Sequence, residues 1–174
     1  MSNRKLQLVG FIGLLLCSVS SHALKAGDPA PEFTQPYLLK DGELSLSEYQ
    51  GKVVYVDFWA SWCPPCRIAM PLINELRTEL VDKGEAFEVI GVNVDQEVED
   101  GKKFLDKYPV SFPTVSDIEG KLPEQYQVKG MPSSFLIDQK GAIYKVHTGF
   151  RKSDFEKIKA EILEILEKQR AETK

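Results

Sequence analysis

The sequence predicts an α/β domain in which a mixed sheet carries helices on both faces. Three observations lead there. Two apolar runs, residues 53–59 and 87–95, read as buried central strands; each is followed by a stretch with helical spacing; a strand pair and an amphipathic helix close the chain.

In chain order, "KAGDPAPEFTQPYLL" is interrupted by prolines and reads as edge or extended structure, and "DGELSLSEYQGK" supplies a turn and a short connector. Residues 53–59 are dense in Val, Tyr and Phe, with Asp57 as the one charge, on the face opposite Phe58. A helix is expected over 64–83, with Pro64 in its first turn and Ile68, Leu72, Ile73, Leu76 and Leu80 as its apolar stripe. Pro71 falls inside it and should kink it, because a proline removes one ladder bond and crowds the preceding turn. "FEVIGVNVD" is the second buried strand. "EVEDGKKFLDKY" follows as a helix with Val98, Phe104, Leu105 and Tyr108 inward, ended by Pro109. After a short apolar segment near Val115, strands over 134–138 and 142–148 are joined by "QKG". The last helix, 154–170, has Ser153 and Glu156 in a capping-box pattern and Phe155, Ile158, Ile162, Ile165 and Leu166 as a core-packing stripe.

The 174 residues, 43% hydrophobic and 28% charged, suit one globular domain, and no internal repeat or low-complexity linker divides them. Arg4 and Lys5 precede an apolar run over 8–17, and Ser21 and Ala23 are small residues flanking a cut. This is the layout of a secretory signal, so a signal peptide is expected over 1–23, cleaved after Ala23, with one domain over 24–174. The apolar run is about half of the ~20 residues that a spanning helix needs, which weighs against a membrane-anchored form. Leu15 and Leu16, just before Cys17, weigh against a lipid anchor. Export, most readily to a bacterial periplasm, is the expected location. Loss of Arg4 and Lys5 takes the formal charge from −4 to −6, and no basic face suggests a nucleic-acid partner.

The stretch "DFWASWCPPC" raises the question of chemistry, since Cys63 and Cys66 sit two residues apart in a chain with one other cysteine. Structural zinc needs four ligands, and a Cys/His tetrad is impossible with Cys63, Cys66 and His147 alone in residues 24–174, so no metal is expected. A disulfide closing a four-residue loop stabilises by only about 2 kcal/mol, too little to explain the pair as a staple. Redox chemistry fits better. Cys63 lies between a strand end and a helix start, where unpaired amides and the helix dipole favour a thiolate, and Cys66 can resolve a mixed disulfide. A carboxylate in a buried strand is costly without a partner or a function, so Asp57 is a candidate to exchange a proton with Cys66, directly or through water; the alternative is a hydrogen-bonded structural acid.

These residues carry a resemblance. "VDFWASWCPPC", Pro71 five residues after Cys66, and "GMPSSFLID" resemble a thioredoxin-like fold, a three-layer sandwich. "GDPAPEF", "VNVDQEVEDGKKFLDKYPVSFPTVSD" and "GMPSSFLIDQKGAIYKVHTG" are more similar to its exported TlpA/ResA-type branch, which includes cytochrome c maturation proteins. The resemblance implies a thiol:disulfide oxidoreductase with no cofactor beyond the Cys63–Cys66 pair. It implies a reductant of exported protein disulfides, supplied by a membrane electron donor, and a monomer is expected. It also implies a cis Met131-Pro132 peptide and a substrate-facing surface of Trp62, Pro64, Pro65, Met131 and Pro132, with Phe58 and Trp59 as support. The chain departs from the branch at Ala69, where many members carry glutamate, and at Asp57, where asparagine is frequent. A glutamate-dependent mechanism and narrow cytochrome c specificity therefore do not carry over. Two alternatives stand beside this reading: a peroxiredoxin-like peroxide reductase, which lacks a Thr and Arg setting around "SWCPPC", and a non-catalytic binding or chaperone domain.

Overall fold

The computed structural model describes residues 24–172, so the expected signal segment and its cut lie outside the described residues. Seven strands form: β1 (Thr34–Pro36), β2 (Glu43–Ser45), β3 (Val53–Trp59), β4 (Phe87–Asn93), β5 (Thr114–Ser116), β6 (Ser133–Ile137) and β7 (Ile143–Thr148). The helices are α1 (Cys66–Asp82), α2 (Val98–Lys107), α3 (Lys121–Gln125) and α4 (Phe155–Glu172). The main sheet has the order β5-β4-β3-β6-β7. Its β3-β4 and β4-β5 pairs are parallel, while β3-β6 and β6-β7 are antiparallel. β1 and β2 make a separate antiparallel pair.

β3 is buried along its whole length, which explains a run that is apolar except at Asp57, and its alternation sorts the core into two layers. Val53, Tyr55 and Trp59 pack with Ile73, Leu76 and Leu80 of α1, Phe104 and Leu105 of α2, and Ile158, Ile162, Ile165 and Leu166 of α4. Val54, Val56 and Phe58 pack on the other face with Leu122 of α3, Tyr126, and Phe33, Leu44 and Leu46 of the N-terminal segment. The mixed sheet with helices on both faces is thus the observed architecture.

Several local expectations change. α1 starts at Cys66 instead of 64, with Pro65 in the N-cap position. Ile68 faces solvent, because the buried stripe runs through Cys66, Ala69, Met70, Ile73, Leu76 and Leu80. Pro71 is inside α1 as expected. α3 had no helical periodicity to betray it, having five residues and a proline. The Asp117 carboxylate fixes its start by accepting from the Leu122 N–H at 2.8 Å and the Lys121 N–H at 3.3 Å. Before α4, one 3-10 turn over Lys152–Asp154 intervenes. There Asp154, not Glu156, supplies a capping carboxylate, accepting from the Arg151 N–H at 2.9 Å.

Candidate active site

The loop from β3 to α1 is held by the neighbouring strand. Asp95, just beyond β4, accepts hydrogen bonds from the Ser61 N–H at 2.9 Å and the Ser61 hydroxyl at 3.0 Å. The Asn93 side-chain amide donates to the same carboxylate at 2.8 Å. Asp95 is buried yet satisfied, so its charge anchors the loop two residues ahead of Cys63. The fit is close: a Cβ on Gly101 of α2 would lie 2.8–3.0 Å from three Asn93 side-chain atoms.

On this anchored loop Cys63 and Cys66 form a disulfide, with Cα atoms 5.4 Å apart. Cys66 is the first residue of α1, and its backbone N–H points at the Cys63 Sγ across 3.3 Å. That amide is one of the first-turn donors that a helix leaves without an internal partner, and the helix dipole adds to its positive end. Both cysteines are buried, at 1% and 0% exposure, while neighbouring Trp62 is 63% exposed. Pro64 is exposed and Pro65 half-buried.

The Met131-Pro132 peptide is cis. Pairing in β6 begins at the next residue, Ser133, opposite Phe58 of β3, so this peptide stands at the end of the sheet from which the cysteine loop departs. The Pro132 carbonyl accepts from the Gly149 N–H at 2.8 Å, and the Ser133 hydroxyl donates to the Gly130 carbonyl at 2.7 Å. Met131 is half-buried and packs against the cluster that contains both cysteines. Phe58 and Trp59 are fully buried behind them.

Asp57 lies two residues before Trp59, between Gly91 of β4 and Ser134 of β6. It is 3% exposed, and its Oδ2 has no hydrogen-bond partner. Burial pushes its pKa from 3.8 up to about 7. Tyr55, on the same face of β3, shares a 2.6 Å hydrogen bond with the Ser134 hydroxyl. Its own pKa is driven far up, first by burial and then by the Asp57 charge. One register step further out, His147 of β7 meets Glu161 of α4 at 2.6 Å. Ala69, the other position that departs from the resemblance, is buried in the apolar cluster with the cysteines. Among the described residues, no group of three or more His, Cys, Asp or Glu side chains is placed to hold a metal ion.

The structure therefore gathers Cys63, Cys66, Trp62, Pro64, Pro65, Met131 and Pro132 at one end of the sheet, with Asp57 farther down the central strand. The Asn93–Asp95 anchor was missed from sequence. The signal for it was an asparagine and an aspartate at the end of a strand rich in apolar residues, and the aspartate's partner Ser61 lies 34 residues away.

A mixed five-stranded sheet, a Cys-x-x-Cys disulfide at a helix start and a cis-proline at the same end define a thioredoxin-like thiol:disulfide oxidoreductase. Comparison with known proteins agrees. The Redoxin family model matches residues 25–162. The thiol-disulfide oxidoreductase ResA of Geobacillus kaustophilus is 36% identical over 136 residues, covering 78% of this chain and 76% of that protein. The thioredoxin-like protein YneN of Bacillus subtilis is 32% identical, covering 83% and 85%. A crystal structure from Chlorobium tepidum, described as a thiol:disulfide interchange protein DsbE, superposes with a TM-score of 0.78 at 44% identity, covering 82% of this chain and 99% of that one. The chain belongs to the Redoxin family, in its TlpA/ResA-type branch.

Proposed function

We propose that this oxidoreductase is an exported disulfide reductant in which Cys63 is the exchanging thiol, Cys66 the resolving thiol and Asp57 the proton acceptor. The observation that carries the assignment is the Cys66 amide at the start of α1, aimed at the Cys63 Sγ across 3.3 Å. In the reduced protein this donor stabilises a Cys63 thiolate. The thiolate attacks one sulfur of a substrate disulfide; the substrate S–S bond breaks, and the departing sulfur takes a proton. Cys66 then gives its proton to the Asp57 carboxylate, directly or through water, and attacks the Cys63 sulfur. The mixed disulfide breaks, the departing sulfur takes the proton back from Asp57, the substrate leaves with two thiols, and the protein holds the Cys63–Cys66 disulfide, two electrons having passed to the substrate. A carboxyl group with a pKa of about 7 suits this exchange, since it takes and returns a proton near neutrality.

Trp62, Pro64, Pro65, Met131 and Pro132 form the proposed substrate surface. An extended substrate segment would pair in strand fashion with the Met131 backbone, which precedes the first paired residue of β6 at the end of the sheet where the cysteine loop leaves β3. Substrates are exported protein disulfides, those of cytochrome c maturation among them, and a membrane-held dithiol restores the reduced state. Arg4, Lys5, the apolar run over 8–17 and the small residues Ser21 and Ala23 support export to a periplasm with cleavage after Ala23. Among the described residues, no helix is long and apolar enough to cross a membrane. The working form is proposed to be a monomer.

Reduction of insulin disulfides in the presence of a dithiol tests this. The protein should accelerate turbidity well above the dithiol alone, Cys63→Ser should abolish the acceleration, and Cys66→Ser should accumulate a mixed disulfide on Cys63. Undiminished turnover by either variant would refute the assignment.

A further inference from the structure

Beside the redox pair, α1 and α2 enclose an open cleft of about 270 Å3 whose lining includes Ser61, Arg67, Asp100, Lys103, Lys107 and Tyr108. It begins two residues before Cys63 and one residue after Cys66. Arg67 is the second residue of α1, and Asp100, Lys103 and Lys107 fall on one stripe of α2 at helical spacing. Asp100 is the single acid in the lining and lies 3.8 Å from Lys103, so the cleft carries a formal charge of about +2 by Coulomb counting. Among the described residues, neither Arg67 nor Lys107 has a carboxylate partner. The Lys107 ammonium sits 5.6 Å from the Tyr108 ring centre, which gives the cleft an aromatic wall. The whole chain carries −4, so this positive surface runs against the overall charge.

We propose that this cleft receives acidic side chains of the polypeptide segment that flanks the cysteine being exchanged, and so sets a preference for partners with acidic residues beside the reactive cysteine. The inference rests on the assignment of Cys63 as the exchanging thiol. A partner joined to Cys63 by a mixed disulfide holds its flanking residues close to a cleft whose lining includes Ser61 and Arg67, which makes their encounter with it intramolecular. Side-chain carboxylates suit the site chemically: its cations are long, exposed and separate, and they come from two helices. Exposed ion pairs of this kind are each weak and sensitive to salt, and they act on encounter and orientation more than on final stability.

The test uses reduced protein and three disulfide-bonded peptides with one shared cysteine core and flanks of Glu, Ser or Lys. The quantity read is the ratio of the Glu-peptide to the Lys-peptide exchange rate constant, in which any change in thiol reactivity cancels. With two or three exposed pairs contributing, the expected ratio is about tenfold at about 0.01 M ionic strength, falling to within about twofold at about 1 M. Lys103→Gln with Lys107→Gln should bring the low-salt ratio near one, and Lys103→Glu with Lys107→Glu should take it below one. Both lysines are exposed, so neither pair of changes threatens the core. A wild-type ratio near one at low salt, with the Ser peptide exchanging normally, overturns the inference and leaves the proposed function standing. A tenfold ratio that survives both double variants also overturns it. Absence of exchange with all three peptides overturns the proposed function, and this inference with it.

Discussion

Replacing Asp57 by Asn nearly preserves the shape of the side chain and removes its charge. In the folded, oxidised protein the carboxyl has a pKa of about 7, raised from 3.8 by burial. The folded state therefore binds this proton more tightly than the unfolded chain does, and stability falls as pH rises through the window between those two values. Well below pH 4 both states are protonated and the acid imposes no ionisation penalty. Well above pH 7 both are ionised and the penalty is constant, on the order of 4 kcal/mol from a gap of about three pKa units. At pH 4.5 the same relation leaves about 1 kcal/mol. Asp57→Asn should accordingly stabilise the oxidised protein by about 3 kcal/mol more at pH 8.5 than at pH 4.5. Guanidinium unfolding of both proteins at several pH values reads this difference directly, because the contributions of other titrating groups largely cancel between them. An Asn variant whose advantage does not change with pH would show that Asp57 carries no burial penalty, since a buried charge acts only once it ionises.

Gly101→Ala should destabilise the protein by about 1–2 kcal/mol, although alanine is the better helix former by about 1 kcal/mol. The added Cβ meets Asn93, which is fully buried and held by its 2.8 Å bond to Asp95, so it has little freedom to move aside. A rise in the unfolding midpoint would show that this contact relaxes without cost. The equilibrium reduction potential of the Cys63–Cys66 pair, measured against a dithiol buffer, should fall near the roughly −270 mV of a reductant such as thioredoxin. A value near the roughly −120 mV of a strong oxidant would reverse the proposed electron flow.

The parts of this molecule that were legible in its sequence are those decided by short-range pattern. β3 and β4 announce themselves as apolar runs because they are buried on both faces, and α4 does so through an apolar stripe at helical spacing. The Cys63–Cys66 disulfide was legible from the spacing of the two cysteines, and Asp57 stood out as the one charge in a buried strand. What escaped depends on distant partners. α3 exists because Asp117 caps it and Leu122 fills the second core layer, neither of which leaves a periodic trace. The start of α1 at Cys66 lies two residues later than expected, a difference that proline statistics do not resolve. The loop anchor joins Ser61 to Asp95, and the basic cleft exists only once α1 and α2 are set side by side.

Alkylation of the reduced protein with limiting iodoacetamide across pH, with the label located by mass spectrometry, reads whether the start of α1 makes Cys63 the exchanging thiol. Cys63 should be modified at least about tenfold faster than Cys66 at neutral pH, as a thiolate favoured at a helix start requires. Labelling of Cys66 first, or of both at equal rates, would contradict that role.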